Sequence, residues 1–355
     1  MFRSRVSVRR AAHLLALTLV GCTASTTPPS SQAPPPKTAE PAPRAATRST
    51  LSLLTRRETA LVEELSRDVA KLATEIGDRS SGEPWNQASV TDYVVEQFEA
   101  AGYAVDRQGY SLEGEETAQN LQVQVPGGVF GYEIVVVGAH YDSVAGSPGA
   151  NDNASGVAAL LALARSLSHK KPTRTLRFVA FANQEEPYFK TALMGSQVYA
   201  KRAVGAGEKI VGAVCIESIG YFTDEPNSQQ RPGALQLRFP DKGNFVAVVG
   251  NEASAELADQ LTTAISDRTS LPVRGGGLPA DLAEMGGADH WAFWQMQLPA
   301  VVVTDTGPLR DPFHHQAGDT AGRLDFERMA RVVAALERSV LELASPAAPE
   351  IPVPD

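Results

Sequence analysis

Cysteine is almost absent from this sequence: its 355 residues contain only Cys22 and Cys215. A disulfide scaffold is therefore excluded as the main source of stability, and a buried apolar core must hold the fold together. Blocks of basic residues are also missing after the first ten positions, and the formal net charge is −9. Such a chain lacks the positive patch that nucleic-acid binding requires, so we expect no nucleic-acid partner.

The N-terminus contains no apolar run long enough to cross a membrane. Residues 11–20 are apolar and follow several arginines, which predicts an export signal rather than a spanning helix. The run ends with LVGC at 19–22, which resembles the lipobox of bacterial lipoproteins. That resemblance implies a signal peptide at 1–21, a lipid on Cys22 and attachment to a membrane of the bacterial cell envelope. An ordinary secretory signal with an incidental cysteine is the alternative.

Regular apolar spacing is also missing from residues 22–53, which are rich in Pro, Ser, Thr and Ala. We expect a disordered tether there, because such a composition cannot bury a core. Helical and strand periodicities then run from about Leu54 onward. They predict one folded domain at 54–345 and a short tail at 346–355.

The folded part alternates strands with helices, and several of its strands are continuous apolar runs. This pattern predicts an α/β fold, a three-layer α/β/α sandwich with a mostly parallel mixed central sheet. Strands are predicted at 103–112, 120–125, 133–139, 175–182, 210–219, 244–249 and 299–304. Helices are predicted at 57–76, 88–101, 154–167, 254–266, 291–294 and 326–343, with another around 197–202.

A histidine and an aspartate flank one glycine-rich loop after the strand at 133–139. His140 comes directly after the strand, where α/β sheets gather functional groups, and Asp152 lies twelve positions further on. Each has an ordinary structural explanation. His140 could be a structural residue at a strand end, and Asp152 could be a helix cap. Asn151 or Asn153 could cap that helix equally well, which leaves Asp152 free to bind a metal.

Two later strands have acids within them or directly after them. Glu185 and Glu186 are adjacent after the strand at 175–182, where they would repel each other unless one binds a metal and the other acts as a base. Glu217 lies within an apolar strand and needs a partner, because a lone buried carboxylate is costly. Four of the six histidines could join these acids: His140, His290 in the segment at 289–290, and His314 and His315 in the segment at 311–320. Oxygen and nitrogen ligands without thiolate fit zinc, cobalt or manganese, and a shared carboxylate fits two ions.

Five motifs stand in the order found in the di-zinc exopeptidases typified by bacterial leucyl aminopeptidase, which include glutamate carboxypeptidase and glutaminyl cyclase as relatives. The motifs lie at 138–143, 149–156, 194–196, 289–290 and 315–320. The resemblance covers about 54–344. It implies two zinc ions, with His140 and Glu217 on one, Asp152 bridging, and a glutamate and His315 on the other. It also implies that Asp142 orients His140 and that Asp289 and His290 line the substrate pocket.

The sequence departs from this family at one position. Relatives place a general base and then a ligand, both Glu, seven and eight residues after an arginine in the strand. Counting from Arg177 gives Gln184 and Glu185, so a glutamine would replace the base. A register shifted by one residue would make Glu185 the base and Glu186 the ligand. Both registers remain open from the sequence.

The resemblance implies a zinc-dependent exopeptidase, an aminopeptidase that removes N-terminal residues from peptides with the help of a metal-activated water. Two alternatives follow from the same residues. One is an acyltransferase similar to glutaminyl cyclase, which uses one zinc. The other is a metal-binding envelope lipoprotein with impaired catalysis, because Gln184 cannot accept a proton.

Overall fold

A computed structural model describes residues 51–112, 117–278 and 287–346. The predicted signal peptide, Cys22, most of the tether and nearly all of the tail lie outside the described residues. The described residues belong to one compact unit. Among them, no helix is both long and apolar enough to pass through a membrane.

The described helices and strands alternate along most of the chain. The strands are β1 Asp106–Ser111, β2 Thr117–Val125, β3 Phe130–His140, β4 Arg174–Phe181, β5 Lys209–Glu217, β6 Val246–Asn251, β7 Val273–Leu278 and β8 Ala300–Thr304. The helices are α1 Arg56–Val69, α2 Pro84–Ala100, α3 Gly156–Leu167, α4 Gly195–Gly205, α5 Ala255–Ser266, α6 His290–Gln295 and α7 Phe326–Leu343. A wider helical turn, Ala70–Ile76, continues α1.

These strands form one mixed sheet in the order β1-β2-β4-β3-β5-β8-β6-β7. The central strands β4, β3, β5 and β8 run parallel to one another. Antiparallel pairs join β2 to β4 and β8 to β6, so β2, β6 and β7 run opposite to the central strands, while β1 is antiparallel to β2 and runs with them. The prediction of a mostly parallel mixed sheet in an α/β fold is confirmed.

Strand β3 shows why both faces of the sheet are covered. Val135 and Val137 pack into the core formed with α1, α2, α3 and α7. Ile134 and Val136 point the other way and pack against Tyr199 of α4 and Phe293 of α6. Because side chains alternate across a strand, a continuous apolar run is the expected sequence for a strand buried on both sides.

Two elements differ from the sequence-based expectation. Strand β7 was not predicted, because Gly275, Gly276 and Gly277 favour a loop. Here glycine permits close pairing, since a Cβ on Gly275 would lie 2.1 Å from the Val248 carbonyl oxygen. The helix predicted from residue 154 begins regularly only at Gly156, after an irregular turn over Ala150–Ser155. That turn carries Asp152.

Candidate metal centre

The carboxyl ends of three adjacent parallel strands meet at one edge of the sheet. Strand β3 lies between β4 and β5, and His140 at its end is paired with Phe181 at the end of β4. Glu217 ends β5. This placement brings together side chains that are far apart in sequence, as expected for the functional edge of an α/β sheet.

The first group of possible ligands consists of His140, Asp152 and Glu217, which are all buried. His140 Nε2 lies 3.0 Å from Glu217 Oε2 and 3.4 Å from Asp152 Oδ1. The three ligand atoms lie within 4.8 Å of one another. One imidazole and two carboxylates at this spacing can share a single divalent ion.

The second group uses the other oxygen of Asp152. Asp152 Oδ2 lies 3.1 Å from His314 Nδ1 and 3.1 Å from His315 Nε2. The two histidine rings stack with centroids 3.9 Å apart. His315 Nε2 also lies 3.4 Å from Glu185 Oε1, whereas no such contact is recorded for His314 within the described residues. The geometry therefore agrees with the expectation that His315 is the ligand, although His314 is equally close to Asp152.

The segment after β4 presents Glu185, and not Glu186, to this cluster. Glu185 is buried with its Oε1 3.4 Å from His315 Nε2, while Glu186 is exposed and forms no ion pair with the cluster within the described ranges. Gln184 is also buried, and its side-chain Nε2 donates a hydrogen bond to the Gly287 carbonyl at 3.2 Å. Glu185, with Gln184 directly before it, thus faces the cluster, and its assignment as ligand rather than base stays a prediction.

Asp142 connects the two halves of the cluster. Its Oδ1 lies 3.3 Å from His140 Nδ1, on the side of the ring opposite the metal-facing Nε2. Its two oxygens also accept hydrogen bonds from the backbone N–H groups of Gln184 (3.1 Å) and Glu185 (2.9 Å). A carboxylate in this position sets the orientation of the imidazole and of the acidic segment together.

Asp152 is held by its own backbone. The N–H groups of Asn151 and Asp152 donate to the two oxygens of Asp319 at 2.7 and 3.0 Å. The next residue, Asn153, accepts from the N–H of Gly156 at 3.0 Å and donates to the Ile216 carbonyl at 2.8 Å. Asn153 therefore accepts the N–H of the first residue of α3, which leaves the Asp152 carboxylate free to face both groups.

The donor set fits zinc. Three carboxylates, those of Asp152, Glu185 and Glu217, converge with imidazole nitrogens and without a thiolate. Asp152 Oδ1 and Glu185 Oε1 are buried and accept no hydrogen bond from the described part of the chain. Buried carboxylate oxygens without donors are costly, and a divalent cation removes that cost. Oxygen and nitrogen ligands in this number suit zinc.

Known proteins with similar sequences decide the family. The sequence profile of Peptidase family M28 matches residues 120–340. This chain belongs to peptidase family M28. The predicted relationship to zinc exopeptidases, and with it the prediction of a metallopeptidase, is confirmed.

Two relatives and one solved structure illustrate the similarity. An uncharacterised Escherichia coli protein, YfbL, is 33% identical over 76% of this chain and 85% of its own length. Leupeptin-inactivating enzyme 1 of Streptomyces exfoliatus is 32% identical over 62% of this chain, which spans about half (49%) of that enzyme. The zinc aminopeptidase BSAP of Bacillus subtilis has the same fold, with a TM-score of 0.64, 14% identity, and coverage of 81% of this chain and 96% of its own.

Arg79 supports the metal loop of this M28 peptidase, and the sequence analysis missed it. Its guanidinium is fully buried and donates to five backbone carbonyls. They belong to Leu72 (3.2 Å), Gly77 (2.9 Å), Tyr141 (2.8 Å), Pro148 (2.6 Å) and Gly149 (2.9 Å). Burial lowers the pKa of Arg79 to about 10, against the opposing effect of Asp142, so the side chain stays charged at neutral pH. The arginine joins the end of the first helix to both sides of the loop that begins after His140.

The predicted pocket residues Asp289 and His290 lie at the start of α6, within the part of the chain that resumes at residue 287. Asp289 is buried, and burial raises its pKa to about 6. Its carboxyl is close enough to be influenced by the charges of His140, Asp142 and Glu185. Asp289 therefore lies beside the cluster, and the contact of both residues with substrate stays a prediction.

In the metal-free site, neighbouring carboxylates raise the pKa values of the histidines. Asp152 and Glu185 raise the pKa of His315 to about 10. Burial acts to lower the pKa of His140, but Glu217, Asp142 and Asp152 outweigh it and raise the value well above the usual range. At neutral pH and without metal, the imidazole of His315 therefore carries an extra proton, and the pKa of His140 is shifted in the same direction.

We expect zinc binding at pH 7 to release at least one proton per chain, because zinc takes the neutral imidazole nitrogen and the pKa of His315 is raised to about 10. Since His315 loses this proton as pH rises toward that pKa, zinc affinity should increase with pH. Calorimetric titration in two buffers with different ionisation enthalpies measures the released protons. A His169→Ala variant, which alters an exposed histidine, should release the same number, whereas heats that do not depend on the buffer would contradict the prediction.

Replacing Arg79 with Met should weaken both folding and zinc binding, because five backbone carbonyls lose their donor. We expect a loss of at least about 3 kcal/mol in the free energy of unfolding. Urea denaturation measures stability, and competition with a chromogenic chelator measures the zinc Kd. Arg202→Met on the exposed face of α4 is the matched control, and an Arg79→Met protein as stable and as tight for zinc as wild type would disprove the role.

Proposed function

We propose that this M28 peptidase is a zinc-dependent aminopeptidase that removes N-terminal residues from peptides and uses two zinc ions. One ion would be held by His140, Glu217 and Asp152, and the other by Asp152, Glu185 and His315. The observation that carries the proposal is the position of Asp152, whose two oxygens face two different ligand groups. A single carboxylate shared in this way suits a two-metal hydrolase.

Bound zinc supplies a Lewis acid that polarises a peptide carbonyl and makes a nearby water more acidic. The chain itself supplies orientation. Asp142 holds the imidazole of His140 through Nδ1 and holds Glu185 through its backbone N–H. Asp319 fixes the backbone of Asp152 through two N–H groups. These contacts hold the proposed ligand side chains in the orientation that metal and substrate would require.

An acid that the proposed ions leave unpaired supports a preference for chain ends. With zinc on Asp152, Glu185 and Glu217, the buried carboxyl of Asp289 beside the cluster is left to interact with the substrate. A protonated amine at the start of a peptide is attracted to that acid, while an internal peptide bond brings no positive charge with it. We propose that Asp289 and His290 line the side of the pocket that receives the amine.

Gln184 favours a second candidate function, a metal-binding protein that hydrolyses peptides poorly. An amide cannot accept the proton that a carboxylate at this position would take from water. The Gln184 side chain is also engaged, since its Nε2 donates to the Gly287 carbonyl. General bases contribute about 10²–10⁴ in rate, so their loss slows hydrolysis without removing metal or substrate binding.

We propose that the protein is attached to a membrane of the bacterial cell envelope through lipid on Cys22. The support is the sequence at 19–22 and the preceding apolar run. A tether between Cys22 and the domain would allow the site to reach peptides near the membrane surface.

Removing metal should abolish activity. We expect hydrolysis of leucyl-p-nitroanilide by the zinc-loaded protein, loss of that activity after treatment with 1,10-phenanthroline, and recovery on adding zinc. Atomic emission on the purified, reloaded protein should give about two zinc ions per chain. One tightly bound ion without hydrolysis of any aminoacyl amide would instead support the cyclase alternative, and activity that survives chelation would refute the metal mechanism.

Restoring a carboxylate at position 184 should increase turnover. We expect Gln184→Glu to raise kcat by about 10²-fold or more with little change in KM, because a base acts in the transition state. Gln260→Glu, an exposed position on α5, is the matched control for the added charge. An unchanged kcat in Gln184→Glu together with inactive Glu186→Gln would show that the shifted register is correct.

A further inference from the structure

Arg323 lies where three site-bearing segments meet. It ends the turn Ala321–Arg323, four residues after Asp319. Its guanidinium carbon lies 3.8 Å from the ring centroid of Phe313, which directly precedes His314 and His315. It lies 5.6 Å from the ring centroid of Tyr221, four residues after Glu217. The side chain is partly exposed, and both of its aromatic partners lie on segments that carry proposed ligands.

Other buried or half-buried arginines of the domain have polar partners, and Arg323 differs from them. Arg79 contacts backbone carbonyls, Arg177 pairs with Glu208 at 2.7 Å, and Arg328 pairs with Asp224. No carboxylate of the described residues lies within ion-pair distance of Arg323, and its buried Nε has no hydrogen-bond partner there. The cation is therefore positioned and partly desolvated without an anion to pair with.

The nearby acid Asp311 does not pair with Arg323. The charge of Arg323 influences the Asp311 carboxyl, but the two groups stay beyond ion-pair distance. Asp311 Oδ1 instead accepts the backbone N–H of Phe313 at 2.9 Å. The two aromatic rings hold the guanidinium in place, so the ordering cost of binding an anion is reduced.

We propose that Arg323 binds a carboxylate of the substrate on the leaving side of the scissile bond, which makes short peptides with a free C-terminus the preferred substrates. This inference rests on the proposed peptidase function. A planar guanidinium presents two parallel N–H donors to a carboxylate and pairs with it more strongly than an ammonium does. An extended peptide advances ~3.5 Å per residue. We place Arg323 within reach of a carboxylate one to three residues beyond the scissile bond, because Phe313, on which it packs, directly precedes His314 and His315.

Three substrates separate the possible sources of the carboxylate: Leu-Ala, Leu-Ala amide and Leu-Glu amide. We expect the wild-type KM for Leu-Ala to be about tenfold lower than that for Leu-Ala amide, as for a partly exposed charged hydrogen-bonded pair. Arg323→Gln should remove that difference while kcat and the hydrolysis of leucyl-p-nitroanilide stay unchanged. Arg323→Lys should keep part of the difference. A low KM for Leu-Glu amide would show that a side-chain carboxylate is also accepted.

Arg202→Gln on α4 is the matched control for loss of an exposed arginine, and melting temperatures check that each variant is folded. The inference is overturned if wild type does not distinguish Leu-Ala from its amide, if the difference persists in Arg323→Gln, or if that variant slows all substrates equally.

Failure of the proposed function is distinguishable from failure of this inference. If wild type hydrolyses none of the three peptides, they remain intact, and calorimetry with the zinc-loaded protein gives their Kd values. A tenfold tighter Kd for Leu-Ala than for its amide, lost in Arg323→Gln, would then support the role of Arg323 without catalysis. Equal Kd values would refute it.

Discussion

The shared carboxylate of Asp152 is the contact on which the rest of the site depends. Its two oxygens face His140 on one side and the histidine pair on the other, so a small rotation of this residue would disrupt both ligand groups. Asp319 and Asn153 prevent that rotation through the backbone on either side of Asp152. Arg79 donates a hydrogen bond to the carbonyl of Gly149, which directly precedes the turn that carries Asp152. The metal centre is thus rigid because its loop is hydrogen-bonded along its length.

The same arrangement links metal binding to stability. Buried carboxylates that face one another raise the free energy of the metal-free fold, and the charged Arg79 offsets this only in part. Burial raises the pKa of Asp319 to about 6, which shows how strongly this region disfavours additional negative charge. A divalent ion that binds only the folded chain therefore contributes directly to folding.

If Glu185 is the ligand, as one register has it, ligands and general base are separable in this chain. The ligand positions, the orienting Asp142 and the family fold are all present, while position 184 carries a glutamine that hydrogen-bonds Gly287. This is physically consistent because a base acts in the transition state and adds little to folding or metal binding. The fold and metal site can therefore be retained whether turnover is fast or slow.

Residue order alone determined which side chains could meet, because parallel strands place their carboxyl ends at one edge. His140, Asp152, Glu217 and Glu185 were found in this way, as was the sandwich fold from its apolar runs. The tertiary structure decided what the pattern could not. Arg79 bonds to backbone carbonyls 62 to 70 residues away, and Arg323 is set apart by aromatic rings and by the lack of a described carboxylate partner. Such contacts depend on where backbone and rings lie in space, and no spacing in the sequence encodes that.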